Sequence, residues 1–187
     1  MSHLFEGDSF QILPRIPTAS VDFILTDPPY NLSQSDKELL HNEFLRICKG
    51  DIIVFSPPEN QWVFPDARFL FWVKATSTKN YSRSYGRFVE MLFWYRRGEV
   101  WNTNLNWSNY VGVYDDKVVG LSGHPFEKPL SLLERFILIH TNPGDMVCDP
   151  FAGSGNALKI AKRLGRRYLG IELDQELYRN MQKELTE

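Results

Sequence analysis

At 187 residues, with 43% hydrophobic and 24% charged side chains, the chain has the length of one folded domain and little room for a second. A formal charge of −2 excludes binding to nucleic acid through overall basicity, so any such surface must be local. No apolar run is long enough to cross a bilayer, no signal-peptide pattern opens the chain, and the two cysteines, Cys48 and Cys148, lack metal-ligand spacing.

These features predict a single domain over residues 1–187, cytoplasmic, with buried free thiols, no metal and no membrane association. In chain order, residues 4–8 read as a short strand ending in an acidic turn, and 9–13 as a brief helix stopped by Pro14 and Pro17. Residues 21–25 form a buried strand that leads into Thr26-Asp27-Pro28-Pro29-Tyr30. Ser35 and Glu38 fit a capping box for a helix with Leu40, Phe44, Leu45 and Cys48 on one face. Gly50 closes it, and a strand begins at Asp51. Residues 69–73 and 88–95 read as long strands joined by a polar, basic stretch, which suits an antiparallel pair at a sheet edge. Residues 101–119 read as irregular. Pro129 opens a helix with Leu130, Leu133, Phe136, Ile137 and His140 inward, ended by Asn142-Pro143-Gly144. A strand at 146–148, a glycine-rich turn, a helix at 156–164, a strand at 168–172 and an amphipathic helix capped by Asp174 complete the chain. Strands alternating with helices predict an α/β fold with a mostly parallel sheet.

Two short motifs carry chemistry. The amino nitrogen of adenine is a poor nucleophile because its lone pair is delocalised into the ring. Two acceptors aimed at its hydrogens would localise that pair, and Asp27 with the Pro28 carbonyl can supply them. Pro28 and Pro29 hold the turn rigidly, and Tyr30 offers a ring on which an extruded base can stack. Asp27, Pro28, Pro29 and Tyr30 are therefore candidate catalytic residues, although the same residues also fit a plain strand-end turn. In the second motif, Asp149-Pro150-Phe151-Ala152-Gly153-Ser154-Gly155, Gly153 and Gly155 permit a tight turn before a helix start. Glu172 follows at the end of the next strand, about 20 residues beyond the glycines, where a ribose-hydroxyl acceptor belongs. No Gly-Lys-Ser/Thr follows the turn, which argues against a phosphate-gripping loop.

With these residues in view, the chain resembles the beta-class amino DNA methyltransferases, in which the Asp-Pro-Pro-Tyr motif precedes the cofactor motif in a circularly permuted order. The resemblance implies a Rossmann-like methyltransferase fold, a mostly parallel seven-stranded sheet with one antiparallel strand. It implies S-adenosylmethionine as cofactor, with Asp149, Phe151, Ala152, Gly153, Ser154 and Gly155 cradling its methionine part. Gly7-Asp8 matches the family's acidic turn, which implies that Asp8 accepts from the cofactor's adenine amino group, and Gly170-Ile171-Glu172 matches the ribose-binding strand end. His124-Pro125-Phe126-Glu127-Lys128-Pro129 matches the His-Pro-x-x-Lys-Pro motif beside the cofactor. Lys128 is a candidate partner for the cofactor carboxylate or a solvated lysine, His124 a turn residue, and Asp27 counts with the cofactor set as well. Ser56-Pro57-Pro58-Glu59 lacks the aromatic residue of a second such site and reads as a loop.

The implied activity is methylation of adenine N6 in DNA, with cytosine-N4 methylation and a catalytically idle DNA- or cofactor-binding module as alternatives. Lys74, Lys79, Arg83 and Arg87, interleaved with Tyr81 and Tyr85 in a segment whose one acid is Glu90, are candidate DNA contacts, or else a solvated basic hairpin. No separate target-recognition domain fits between Gly98 and His124, which points to a short or relaxed site and to a homodimer that helps enclose the DNA.

Overall fold

The structure is a computed structural model of the chain, described here for residues 1–74, 89–105, 112–115 and 128–186. Its strands are β1 (His3–Glu6), β2 (Phe23–Thr26), β3 (Ile52–Ser56), β4 (Arg68–Val73), β5 (Val89–Tyr95), β6 (Val113–Tyr114), β7 (Met146–Asp149) and β8 (Arg167–Glu172). The helices are α1 (Ser9–Ile12), α2 (Gln34–Ile47), α3 (Leu130–His140), α4 (Asn156–Arg163) and α5 (Gln175–Thr186). One 8-stranded sheet runs in the order β1-β8-β7-β2-β3-β5-β4-β6.

Each neighbouring pair is parallel except those of β5, which is antiparallel to both β3 and β4. The single antiparallel strand is as expected; the strand number is not. The additional strand is β6, two residues from the stretch that reads as irregular, paired through Phe71↔Val113 and Trp72↔Tyr114. Two residues are too few to show alternation, so nothing in the pattern marks them.

Strands β2, β3 and β7 are buried along their whole length, which is why they read as unbroken apolar runs. Alternate residues face opposite layers. Ile24, Ile52 and Val54 pack with Leu40, Phe44 and Ile47 of α2, while Phe23, Leu25, Ile53 and Phe55 pack with Leu132, Phe136 and Ile137 of α3 and Ile160 of α4. Helix α5 docks on α4 through Met181, Leu185 and Leu158.

The cap of α2 lies two residues before the expected Ser35. Ser33 accepts from the Asp36 amide at 3.1 Å, and the Asp36 carboxylate accepts from the Ser33 amide at 3.1 Å. Both serines precede an acid by three residues, and the choice falls on the one that tertiary contacts hold extended. Asn60 fixes the approach by donating to the carbonyls of Tyr30 at 2.8 Å and Leu32 at 3.0 Å.

The parallel strands point their carboxyl ends toward one edge of the sheet. Because β5 runs the other way, its first residues arrive at that same edge, with Glu90 opposite Trp72 and Met91 opposite Ser56. At the far edge, buried Asp51 accepts from the amides of Arg97 and Gly98, from Trp94 Nε1 at 3.0 Å, and pairs with His140 Nδ1 at 2.8 Å. Burial would raise that carboxyl, but His140 and the two amides hold it below the usual carboxylate range.

Candidate active site

The two signatures meet. Strands β2 and β7 are parallel neighbours, with Phe23 opposite Val147 and Ile24 opposite Cys148, so residues 27–30 and 149–155 leave the sheet side by side. Thr26 Oγ1 donates to Asp149 Oδ1 at 2.8 Å, and the Phe151 amide donates to the same oxygen at 3.1 Å. Burial pushes the Asp149 carboxyl up to about 7, against the pull of those two hydrogen bonds.

The glycine turn is open on one side. Gly153 and Gly155 have φ of 53° and 76°, in the left-handed region. A Cβ on Gly153 would meet nothing within 4 Å, whereas one on Gly155 would lie 2.6 Å from Met181 Cγ. Glu172 braces the turn from behind: its carboxylate accepts from the Gly153 amide at 2.6 Å and the Asp174 amide at 2.8 Å. Asp8 caps α1 by accepting from the Phe10 amide at 2.9 Å, and Ser9 donates to the Pro150 carbonyl, so the acidic turn is stitched to the end of β7.

A cavity of about 720 Å³ opens at these strand tips and extends between α4 and α5. Of the predicted cofactor residues, Asp27, Lys128, Asp149, Phe151, Ala152, Gly153 and Ser154 line it. Asp8, Gly155 and Glu172 are not among its lining residues.

Asp27 is divided in its contacts. Its Oδ2 lies 2.8 Å from Lys128 Nζ, while Oδ1 is buried without a hydrogen-bond partner among the described residues. Burial raises the Asp27 pKa, and the Lys128 ammonium lowers it part of the way back. Pro28 is buried and Pro29 exposed. Tyr30, 38% exposed, keeps its hydroxyl engaged, donating to Glu90 Oε1 at 3.0 Å and accepting from Lys128 Nζ at 3.0 Å. Burial and the Asp27 charge both raise its pKa, so the phenol stays neutral.

Lys128 was a candidate for the cofactor carboxylate or else a solvated lysine. Its ammonium lies among Asp27, Tyr30 and Glu90, with Glu90 Oε1 at 2.5 Å and the rings of Phe55, Tyr30 and Trp72 at 5.0, 5.6 and 6.0 Å. Burial works against that charge, but Asp27 and Glu90 outweigh it and push the pKa up. Lys74, a candidate DNA contact, turns to Glu90 Oε2 at 2.5 Å and to the Trp72 ring at 4.9 Å. Burial would raise Glu90, yet Lys128 and Lys74 keep its pKa below the ordinary value. Lys79, Arg83, Arg87 and His124 lie outside the described residues.

Glu90, Thr26 and Asn60 belong to this constellation without having been singled out from the sequence. Glu90 carried one signal, as the lone acid in a basic aromatic segment. Thr26 opens the first motif but was given no role, and Asn60 had no local signal.

Comparison with known proteins agrees with this geometry. The family model for DNA methylases matches residues 51–183. The type II methyltransferase M2.LlaDCHI of Lactococcus lactis subsp. cremoris is 27% identical over 240 residues, covering 98% of this chain and 88% of the relative. The DNA adenine methyltransferase YhdJ of Escherichia coli (strain K12) is 28% identical over 231 residues, covering 92% and 79%. Among solved structures, the M1.HpyAVI–SAM complex matches over 100% of both chains with a TM-score of 0.77 and 28% identity. The cytosine-N4-specific PvuII DNA methyltransferase covers 98% of this chain and 86% of its own with a TM-score of 0.74; at 17% identity that is a likeness of fold alone. With permuted signatures meeting at adjacent strand tips and a family match over most of its length, the chain belongs to the DNA methylases, and among them to the beta-class amino-methyltransferases.

Proposed function

We propose that the protein methylates the exocyclic N6 amino group of adenine in DNA, with residues 1–187 acting as one catalytic domain. The observation that carries this reading is the buried Oδ1 of Asp27, without a hydrogen-bond partner among the described residues, at a strand tip beside the open glycine turn. An acceptor left empty in a buried place is costly unless a ligand donor completes it.

The residues present fit S-adenosylmethionine. The open face of Gly153 lets a ligand approach the backbone, Asp149 and Phe151 line the adjoining wall, and the carboxylates of Asp8 and Glu172 stand at the ends of the neighbouring strands. When bound, this cofactor supplies a methyl group on a sulfonium, whose carbon–sulfur bond breaks as the carbon–nitrogen bond forms, leaving a neutral thioether. Asp27 and the Pro28 carbonyl hold the two amine hydrogens, so the lone pair turns toward the incoming carbon. Asp27 is also the acceptor for the proton that the methylated nitrogen sheds. Tyr30 presents a half-exposed ring for an extruded base, its tilt set by Glu90 and Lys128. Lys79, Arg83 and Arg87 are the proposed phosphate contacts, a second subunit helps enclose the DNA, and the two buried free cysteines suit the cytoplasm.

Adenine is favoured over cytosine by the intact Asp-Pro-Pro-Tyr and by the relative YhdJ, a DNA adenine methyltransferase. Incubation with labelled cofactor and single- and double-stranded DNA and RNA, followed by nucleoside analysis, tests this: N6-methyl-2′-deoxyadenosine from DNA is expected. Label in N4-methylcytosine would overturn the base assignment. Cofactor binding without label in any nucleic acid would make the chain a binding module.

A further inference from the structure

We infer that Glu90 is a positioning residue for methyl transfer: through Lys128 it turns Asp27 so that Oδ1 faces the incoming amine, and directly it fixes the plane of the Tyr30 ring. This role presupposes the methyl-transfer reading above.

The geometry is a chain of saturated contacts. An ammonium has three hydrogens to give, and Lys128 gives them to Asp27 Oδ2 at 2.8 Å, Glu90 Oε1 at 2.5 Å and Tyr30 Oη at 3.0 Å. With Oδ2 tied in this way the Asp27 carboxylate cannot swing, and Oδ1 alone remains for a ligand. Tyr30 donates its one hydroxyl hydrogen to the same Glu90 oxygen, so a single carboxylate orients both the acceptor and the stacking ring. Glu90 is 4% exposed, which removes solvent as a competing partner.

Charge gives Glu90 a second task. Positive charge develops on the amine nitrogen during transfer, and a lysine beside Asp27 opposes it. The Glu90 carboxylate offsets Lys128, and Lys74 at Oε2 keeps the group of four neutral. Without Glu90, two ammonium groups would face one carboxylate where a cation has to form.

The test is single-turnover transfer as a function of pH for wild type, Glu90→Gln, Lys128→Met and the double variant, with cofactor affinity measured for each by calorimetry. Glu90→Gln is expected to slow transfer by about a hundredfold while cofactor affinity stays near wild type. The double variant is expected to lose far less than the product of the two single losses, because one residue acts through the other. Among the described residues the charged groups facing Asp27 are Lys128, Glu90 and, from β7, Asp149, with the Tyr30 phenol beside them. Asp27 can take the proton shed by the methylated nitrogen only when ionised, so removing Lys128 moves the acid limb of the rate profile to higher pH and removing the Glu90 charge moves it to lower pH. A merely structural carboxylate would leave both limbs in place.

Wild-type rate in Glu90→Gln, or fully multiplicative losses with unmoved limbs, would overturn the inference. If Glu90→Gln does not fold, Glu90→Asp keeps the charge with a shorter reach: slower transfer with an unmoved limb is expected, and an unchanged rate overturns the inference. Failure of wild type to label any nucleic acid would remove the methyl-transfer reading and this role together. Wild-type transfer with an indifferent Glu90 removes this role alone.

Discussion

Asp27 and Asp149 stand at adjacent strand tips, and burial acts on both carboxyls in the same direction with different consequences. Asp27 has an ammonium at 2.8 Å that offsets part of the burial effect, and an oxygen left over among the described residues. Asp27→Ala is accordingly expected to retain cofactor binding and to lose transfer by about 10²–10³-fold, read by filter binding against label incorporation. Among the described residues Asp149 has neutral donors, Thr26 and the Phe151 amide, and its pKa rises from 3.8 to about 7. A carboxyl raised by folding favours the native state while protonated. Its contribution is full below 3.8 and is lost as pH climbs through about 7. Asp149→Asn keeps an acceptor for both donors and carries no titrating charge. Thermal melts are expected to show the variant more stable than wild type above neutral pH, with the gap closing in acid. Equal gaps at both extremes would contradict the assigned cause. The sequence made Asp27 and Asp149 visible because each ends an apolar run in a motif. Glu90 was visible only as an odd charge, since its partners come from residues 30, 74 and 128, and local pattern cannot bring those together.

At the scale of elements, the turn between β7 and α4 separates stability from binding. Gly155→Ala combines a left-handed φ of 76° with a Cβ 2.6 Å from Met181, and is expected to cost about 1–3 kcal/mol in urea unfolding. Gly153→Ala shares the unfavourable φ but meets no neighbour, so it should destabilise less while obstructing the open face. Calorimetry should then show the larger loss of cofactor affinity in Gly153→Ala. These glycines were legible because a backbone turn is a local event. The α2 cap was less so: Ser33 and Ser35 have equal local claims, and Asn60 decides between them from another loop. Strand β6 exists through its pairing with β4, and a pair partner is invisible to a two-residue window.

At the scale of the molecule, the sheet carries function at one edge and a buried polar knot at the other. Asp51 joins β3, the end of β5 and α3 through His140, Trp94 and two amides. Asp51→Ala strands those donors and is expected to cost about 3–5 kcal/mol in denaturant titration, with Asp51→Asn losing less. The α/β architecture and the order of elements apart from β6 were readable in advance, because alternation and buried apolar runs are properties of whole segments, and the single antiparallel strand followed from the family resemblance. Relatives such as M2.LlaDCHI align over 240 residues, more than the 187 of this chain, so they carry segments absent here.

The reversed course of β5 makes the site sensitive to sheet alignment. Side chains on a strand alternate, so sliding β5 by one position would withdraw the Glu90 carboxylate and present the valine or the thioether next to it. Adding or deleting one residue within this strand would therefore remove the carboxylate from the mouth and also turn Leu92, Phe93 and Trp94 away from the layers they pack in, so one alignment serves both the site and the core.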